Sequence, residues 1–210
     1  MSTTSSALDP ADWRGPRESG PVAETRRRVI LATVELIDRL SYRSVTIDAV
    51  ARASGVSKST IYRHWTSRES LVLDAFTHKT DELTQVGDSG DALADLRTYL
   101  LKLAFCLDFG GAASVVSGLI GDAIDDDEFA EKFRASLIRS RRRGFLAILL
   151  RGQQRGQVRK DVDLATVVDA LYGALHHRLL VTRQPIDERF VSALMQVAAH
   201  GVLPAPSPRA

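Results

Sequence analysis

Apolar residues recur three and four positions apart along most of this chain, which is the spacing of an amphipathic α-helix. In the first such segment, over about residues 22–40, Ile30, Val34 and Ile37 share one face. The period-two alternation of a half-buried strand does not persist anywhere in the sequence. The pattern therefore predicts an all-α protein of about nine helices.

Two short helices joined by a tight turn are predicted between Thr46 and Arg68. Thr46 and Ser57 can each cap a helix, because a hydroxyl oxygen accepts a hydrogen bond from an unpaired N–H of the first turn. Gly55 can adopt the positive φ that ends the first helix. A helix, a short turn with glycine and a second, polar helix are typical of a helix-turn-helix.

The second of these helices is predicted to bury Ile61 and Trp65, which lie four residues apart. Its other side chains are cationic, hydroxyl-bearing or aromatic: Lys58, Ser59, Thr60, Tyr62, Arg63 and His64. Such groups contact phosphates and base edges when a helix enters the major groove of DNA. The alternative is an ordinary helical hairpin with a solvated polar face.

The charge distribution argues against that alternative. Between positions 43 and 68 one acid, Asp48, stands among five basic residues, although the net charge of the whole chain is only +2. The basic residues are Arg43, Arg52, Lys58, Arg63 and Arg68. A local concentration of positive charge is the electrostatic signature of a nucleic-acid contact.

The segment Ile30–Phe76 resembles the DNA-binding domain of the TetR family of bacterial transcriptional regulators. The resemblance is carried by the runs I-L-A-T-V-E-L-I, T-I-D-A-V-A, S-G-V-S-K-S-T-I-Y-R-H-W and S-R-E-S-L. Two positions depart from the family pattern: Ser41 replaces the usual glycine after the first helix, and Trp65 replaces the usual phenylalanine. Neither change alters the fold that the resemblance implies.

This interpretation assigns a role to each polar residue of the motif. Phosphate contacts are expected from Thr46, Ser57, Tyr62, His64 and Arg68, and base-edge contacts from Lys58, Ser59, Thr60 and Arg63. We also expect a homodimer, whose two heads would meet half-sites about 34–36 Å apart on a near-palindromic operator in double-stranded DNA.

The domain organisation follows from changes in composition and periodicity. Residues 1–22 are polar and aperiodic and predict a disordered arm. Residues 23–68 are predicted to form the DNA-binding head, and 69–203 a helical body for effector binding and dimerisation. Residues 204–210 are a proline-containing tail.

The family resemblance places a small-molecule effector between the central helices of the body. The candidate pocket residues are Leu100, Leu103, Phe105, Phe109, Val116, Leu119, Phe133, Leu137, Tyr172 and His176. This lining favours a largely apolar ligand, although most of these residues could equally be solid core. A wide apolar arc near the C-terminus suggests a dimer interface. Its candidate residues are Leu171, Leu175, Leu179, Phe190, Leu194 and Val197.

Charge is segregated along the long helix of the body, with acids clustered between Asp122 and Glu131 and bases following up to Lys160. The helix dipole accounts for this order, since it favours acids at the start and bases at the end. The alternative is that Arg134, Arg139 or Arg143 faces inward and pairs with an acidic ligand.

Other chemistry has little support in the sequence. A single cysteine, Cys106, cannot form an internal disulfide and suits a reducing compartment. Phosphate-loop, Cys-x-x-Cys and His-Glu-x-x-His motifs are absent, and His176 and His177 point about 100° apart on a helix. No catalytic residue, metal or cofactor is expected. No apolar run approaches 18 residues, so no membrane span is expected and the protein is predicted to be cytoplasmic, and nucleoid-associated when bound to DNA.

The sequence thus favours a ligand-responsive DNA-binding regulator, specifically a repressor that a small, largely apolar effector releases from its operator. One alternative is a DNA-binding regulator without a small-molecule effector. The other is an enzyme whose helix-turn-helix is only structural.

Overall fold

The computed structural model describes residues 20–109 and 111–202, and within them all regular secondary structure is helical. The α-helices are α1 (Pro21–Arg39), α2 (Ile47–Ser54), α3 (Lys58–His64), α4 (Arg68–Leu83), α5 (Ala92–Leu107), α6 (Ala112–Asp125), α7 (Asp127–Phe133), α8 (Arg139–Gln154), α9 (Leu164–His176) and α10 (Glu188–Val202). A 3₁₀ turn at Tyr42–Ser44 precedes α2. Two π-helical segments, Arg134–Ile138 and His177–Thr182, follow α7 and α9. The all-α prediction of about nine helices is confirmed, because the first π segment joins α7 and α8 into one continuous helix.

Local side-chain chemistry sets the ends of the helices in the head. Thr46 Oγ1 accepts a hydrogen bond from Ala49 N at 3.2 Å, and Ser57 Oγ accepts one from Thr60 N at 3.2 Å. Gly55 ends α2 with a φ of 65°. Both predicted caps and the glycine terminator are therefore confirmed, and they fix the angle between α2 and α3.

The apolar core consists of two clusters. The first joins the buried faces of α1 to α4 to residues of α6 and α7, such as Val115 and Phe129. The second lies between α5, α8, α9 and α10 and is centred on large side chains such as Leu96 and Phe145. Because the first cluster crosses from the head into α6 and α7, the head packs directly on the body, and the domain boundary at residue 68 stays a prediction.

Among the helices that the structure describes, none is by itself long and apolar enough to cross a membrane. The bent pair formed by α5 and α6 meets the length and composition criteria jointly.

Candidate nucleic-acid interface

The helix α3 is anchored from beneath by two buried side chains. Ile61 and Trp65 are both shielded from solvent in the first core cluster. The indole Nε1–H of Trp65 also donates a hydrogen bond to Asp74 Oδ2 of α4 at 3.0 Å. Phenylalanine could not make this bond, so the departure from the family pattern adds a polar tie between the end of α3 and α4.

The outer face of α3 carries side chains that make few contacts with the other described residues. Tyr62 is 54% exposed and Arg63 is also exposed, and neither has a hydrogen-bond or ion-pair partner among the described residues. Lys58 pairs with Asp48, but both side chains of this pair are more than half exposed. Exposed pairs are typically worth at most about 1 kcal/mol, so Lys58 can exchange this partner for a phosphate or base at little cost.

The hydroxyl groups expected at the interface lie at the starts of α2 and α3. Thr46, Ser57 and Ser59 are exposed and Thr60 is half-buried. Ser57 Oγ lies 3.0 Å from Ser59 Oγ and 2.9 Å from Thr60 Oγ1. A hydroxyl both donates and accepts, so an oxygen that caps a helix can also donate to a phosphate. His64 is half-buried, and its ring centroid lies 5.6 Å from that of Trp65.

The structure places Arg68 differently from the other predicted contacts. Its guanidinium donates to the carbonyl oxygen of Tyr42 at 2.8 Å, pairs with Glu69 at 2.8 Å and lies 3.6 Å from Asp122. The same group stacks over the Tyr42 ring, with the guanidinium carbon 4.3 Å from the ring centroid. These contacts all point into the protein, so Arg68 braces the head against the body, and its phosphate contact stays a prediction.

Arg68 is part of a wider contact that we call the junction, formed by Tyr42, Arg68, Ser114, Gly118 and Asp122. The Tyr42 hydroxyl donates to the Asp122 carboxylate, and the Tyr42 backbone N–H donates to Ser114 Oγ at 3.0 Å. Burial, reinforced by the hydrogen bond to Asp122, raises the pKa of Tyr42 above its ordinary value, so the hydroxyl stays a donor. A Cβ on Gly118 would lie 2.1 Å from a ring carbon of Tyr42. The turn before the helix-turn-helix is therefore seated directly on α6.

A cleft of about 650 Å³ lies beside α8. Its lining comes from the end of α4, the loop after it, one residue of α5 and one face of α8. The lining residues are Asp81, Thr84, Gln85, Val86, Tyr99, Ser140, Arg141, Arg143, Gly144, Leu146, Ala147, Ile148, Leu150 and Arg151. This volume falls in the usual range of small-molecule sites, about 300–1,000 Å³.

None of the ten pocket residues predicted from the sequence lines this cleft. The structure buries five of them in solid core: Leu100, Leu103, Val116, Leu119 and Leu137. Phe105 instead is 70% exposed, while Phe109 and Phe133 pack against the first core cluster. Tyr172 and His176 stack on each other with centroids 4.2 Å apart. Helical periodicity identifies buried faces, but it does not distinguish a face that packs on protein from one that lines a cavity.

Arg141 lines the cleft and was not singled out from the sequence. Its side chain is only 3% exposed and pairs with Asp81 of α4 at 2.9 Å. It also donates to Thr84 Oγ1 at 2.8 Å and to the Thr80 hydroxyl. The alternative drawn from the sequence has one of Arg134, Arg139 and Arg143 facing inward. In the structure Arg134 and Arg139 pair with surface Glu131, and Arg143 lines the cleft. No sequence signal marks Arg141, because its burial depends on α4, some sixty positions earlier.

Comparison with known proteins agrees with this architecture. Residues 29–75 match the profile described as bacterial regulatory proteins, tetR family, and residues 86–198 match the profile described as tetracyclin repressor-like, C-terminal domain. The chain belongs to the TetR family. TetR-family regulators bind operator DNA through the helix-turn-helix and act as dimers.

Individual relatives align over most of the chain. The crystal structure of the TetR family transcription regulator SCO0332 is 35% identical, covers 86% of this chain and 100% of that chain, and superposes with a TM-score of 0.76. The uncharacterized HTH-type transcriptional regulator YdeS of Bacillus subtilis is 29% identical over 187 residues, 89% of this chain and 92% of its own. The DNA-binding transcriptional repressor TetR of Mycobacteroides abscessus is 29% identical over 177 residues, 82% of this chain and 90% of its own.

Most of the predicted dimer-interface residues of this TetR-family chain face its own core. Leu171 and Leu175 are fully buried within the second cluster. Phe190 and Leu194 are half-buried against that cluster, and Leu179 packs against the first. Of the six, only Val197 is exposed, at 72%. The packing of these residues in the interior accounts for the wide apolar arc in the sequence, and their assignment to a dimer interface stays a prediction.

The described residues contain no group of three or more His, Cys, Asp or Glu side chains placed to hold a metal ion. Burial raises the pKa of the Cys106 thiol, which disfavours the reactive thiolate. Burial lowers the pKa of His176 and raises that of Tyr172 to about 12. These groups are neutral parts of the body's packing at physiological pH.

Proposed function

We propose that this TetR-family regulator is a repressor, that it binds a near-palindromic operator through two copies of α3, and that a small molecule in the cleft releases it. The observation that supports DNA reading by α3 is the pairing of a buried anchor, Ile61 and Trp65, with an exposed face on which Tyr62 and Arg63 have no partner in the described chain. Side chains held rigidly from behind and unpaired in front are suited to contact base edges.

The cleft is suited to control α4, because Asp81 and Thr84 lie in its lining and at the end of that helix. The other end of α4 begins at Arg68, in the junction. A ligand that changes the contacts of Arg141 with Asp81 would therefore bias the position of a helix whose first residue braces the head. Such a ligand shifts the equilibrium only as far as it binds one arrangement better than the other.

The dimer that this mechanism needs is proposed to form through the exposed side of α9 and α10. This side and the π segment after α9 carry small and apolar residues, including Ala170, Gly173, Val181 and Val197. A second copy of the chain is the occupant that the family implies. We expect Val197→Asp to shift the protein toward monomer in analytical ultracentrifugation. Ile124→Asp changes an equally exposed aliphatic residue on α6 and should leave the dimer intact.

Selection of bound duplexes from a random pool tests the DNA-binding role. Wild type should enrich an inverted repeat whose half-site centres are about 34–36 Å apart. Arg63→Ala should relax the preference at one position per half-site, at a cost of roughly 1–3 kcal/mol of discrimination. Arg139→Ala, a surface change on α8, serves as the control. An unchanged consensus with Arg63→Ala would contradict the assignment of Arg63 to a base edge.

The alternative of a regulator without a small-molecule effector is tested by screening the cleft. If the cleft is an effector site, at least one compound of a panel assayed by thermal shift should raise the unfolding temperature of the protein, because a ligand that binds the native state stabilises it. Operator affinity that no bound compound changes would favour the alternative.

A further inference from the structure

Asp48 places a carboxylate at the start of the helix that is proposed to enter the major groove. It is the single acid between positions 43 and 68, where five basic residues stand. Its side chain pairs with the ammonium group of Lys58, the first residue of α3. In a helix-turn-helix the N-terminal residues of the second helix contact base edges. The Asp48 carboxylate is therefore held at the end of α3 where bases would be read.

Both members of this pair remain open to a further partner. The side chain of Lys58 is 59% exposed and that of Asp48 is 54% exposed, and neither has another hydrogen-bond or ion-pair partner among the described residues. An ammonium group carries three donors and a carboxylate has several acceptor positions, so each can make a second contact while the pair stays together. Tyr62, one helical turn after Lys58, is also 54% exposed, which shows that this face of α3 is uncovered.

A carboxylate at this place works against binding to DNA of arbitrary sequence. The sequence-independent part of the affinity comes from cations that neutralise phosphates, and a carboxylate repels phosphates. Lys58 is compensated by Asp48, so it contributes less to phosphate binding than an unpaired lysine would. In the major groove, the groups that can donate a hydrogen bond to a carboxylate are the exocyclic amines of cytosine and adenine. A favourable contact of Asp48 with DNA is therefore a contact with a base.

A lysine beside an aspartate matches the major-groove edge of one base pair in particular. The edge of a G·C pair presents two neighbouring acceptors, N7 and O6 of guanine, followed by a donor, the N4 amine of cytosine. Lysine donates to the two guanine acceptors, and aspartate accepts from the cytosine amine. The edge of an A·T pair alternates acceptor, donor and acceptor, so it offers the ammonium group no two adjacent acceptors.

We infer that Lys58 and Asp48 together read one G·C base pair in each operator half-site, with Lys58 on guanine and Asp48 on cytosine. The inference rests on the proposed function, because it requires α3 in the major groove. It adds an acid to the base contacts expected from the sequence, which include Lys58 but not Asp48. Arg63 lies five residues further along α3, about 7.5 Å along the helix axis, and so reads a different position.

Selection of bound duplexes from a random pool, with the full chain and its variants, tests the inference. Wild type should enrich one G·C pair per half-site at a position that Arg63→Ala leaves intact. Asp48→Ala should lower the preference for G·C at this position by at least about fivefold, the lower end of the discrimination expected of one good base contact. Lys58→Ala should weaken the same position. The double variant should do little more harm than either single one, because the two residues read the same pair.

Affinity for a duplex of unrelated sequence separates base reading from a purely structural role. Asp48→Ala should bind this duplex more tightly and with a salt dependence steeper by about one phosphate contact, because it releases Lys58 to a phosphate. An acid that only stabilised the first turn of α2 would, on removal, weaken binding to both duplexes. Glu35→Ala removes an exposed acid from α1 and controls for net charge, and it should leave the base preference unchanged.

Asp48→Asn keeps the shape of the side chain and keeps the test decisive if thermal unfolding shows that Asp48→Ala is not folded. It should also lose the G·C preference, since asparagine pairs with adenine. An unchanged G·C preference in these variants, or equal weakening of both duplexes by Asp48→Ala, would overturn the inference. A wild type that enriches no inverted repeat would contradict the proposed function itself. A repeat that depends on Arg63 but not on Asp48 would contradict only the G·C assignment.

Discussion

The head and the body use arginine in opposite ways. On α3, Arg63 is exposed and has no partner within the described residues. In the body, Arg141 is almost completely buried and satisfied by Asp81 and two threonines. The same side chain is thus available to an external partner in one region and part of the internal structure in the other. Tertiary packing, rather than residue type, decides which role a cation has.

The largest expected effect is the difference in protein stability between substitution of Arg141 and substitution of Arg63. Arg141→Ala should lower the free energy of unfolding by about 3–5 kcal/mol, because it leaves the partly buried Asp81 carboxylate without its counter-charge. Arg63→Ala should change it by no more than about 0.5 kcal/mol. Urea denaturation followed by circular dichroism measures both, and equal stability losses would contradict the comparison.

The second effect concerns the junction that joins head to body. Gly118→Ala should destabilise the protein by about 1–3 kcal/mol, because the new methyl group would overlap the Tyr42 ring. Gly121→Ala is the matched control on the same helix, since a Cβ there meets nothing within 4 Å. The control should be neutral or stabilising by up to about 1 kcal/mol through helix propensity. Thermal unfolding of the two variants shows whether the Tyr42 ring packs closely on α6 at Gly118. A Gly118→Ala variant as stable as its control would rule out this close contact.

A smaller effect is expected at the anchor of α3. Trp65→Phe keeps an aromatic side chain in the core but removes the hydrogen bond from Nε1 to Asp74. We expect a loss of about 1 kcal/mol in unfolding free energy, the usual net worth of one hydrogen bond. Because this bond holds the end of α3 against α4, operator affinity should fall as well. If Trp65→Phe has the wild-type operator affinity and stability, the hydrogen bond from Trp65 to Asp74 is dispensable.

The smallest effect is a pH dependence that belongs to the body. Burial lowers the pKa of His176 in the folded state, so the unfolded chain binds more protons below about pH 6.5. The contribution of His176 to the free energy of unfolding is therefore constant above that pH. As the pH falls through the pKa that the histidine has in the unfolded chain, this contribution becomes destabilising, by less than about 1.4 kcal/mol per pH unit.

His176→Gln should weaken this acid sensitivity, as measured by urea denaturation at about pH 7.5 and about pH 5.5. His200→Gln changes an exposed histidine at the end of α10 and should preserve the wild-type profile. Identical profiles for wild type and His176→Gln would show that His176 does not titrate as its burial implies.

The head was largely predictable because its determinants are local. The caps Thr46 and Ser57, the terminator Gly55 and the anchors Ile61 and Trp65 all act within a few positions of one another. Spacing in the sequence therefore specifies the helix ends and the buried face of α3. The contacts of Arg68 in the junction were not predictable in this way, because α6 and the 3₁₀ turn that hold its side chain are distant in the sequence.

The body was predictable in its helices but not in its cleft. Leu171 and Leu175 follow the helical period whether they face a core or a second subunit, and the structure places both in the core. The cleft exists because α4, α5 and α8 approach one another without filling the space between them. That arrangement depends on pairs such as Arg141 with Asp81, sixty positions apart, which no local pattern encodes.

A structure of the protein bound to a duplex obtained by random-pool selection tests the central claim most directly. The account predicts two copies of α3 in successive major grooves, about 34–36 Å apart, with Arg63 at a base edge and Arg68 still in the junction. A complex in which α3 lies away from the DNA, or in which the duplex contacts a different surface of the head, would contradict it.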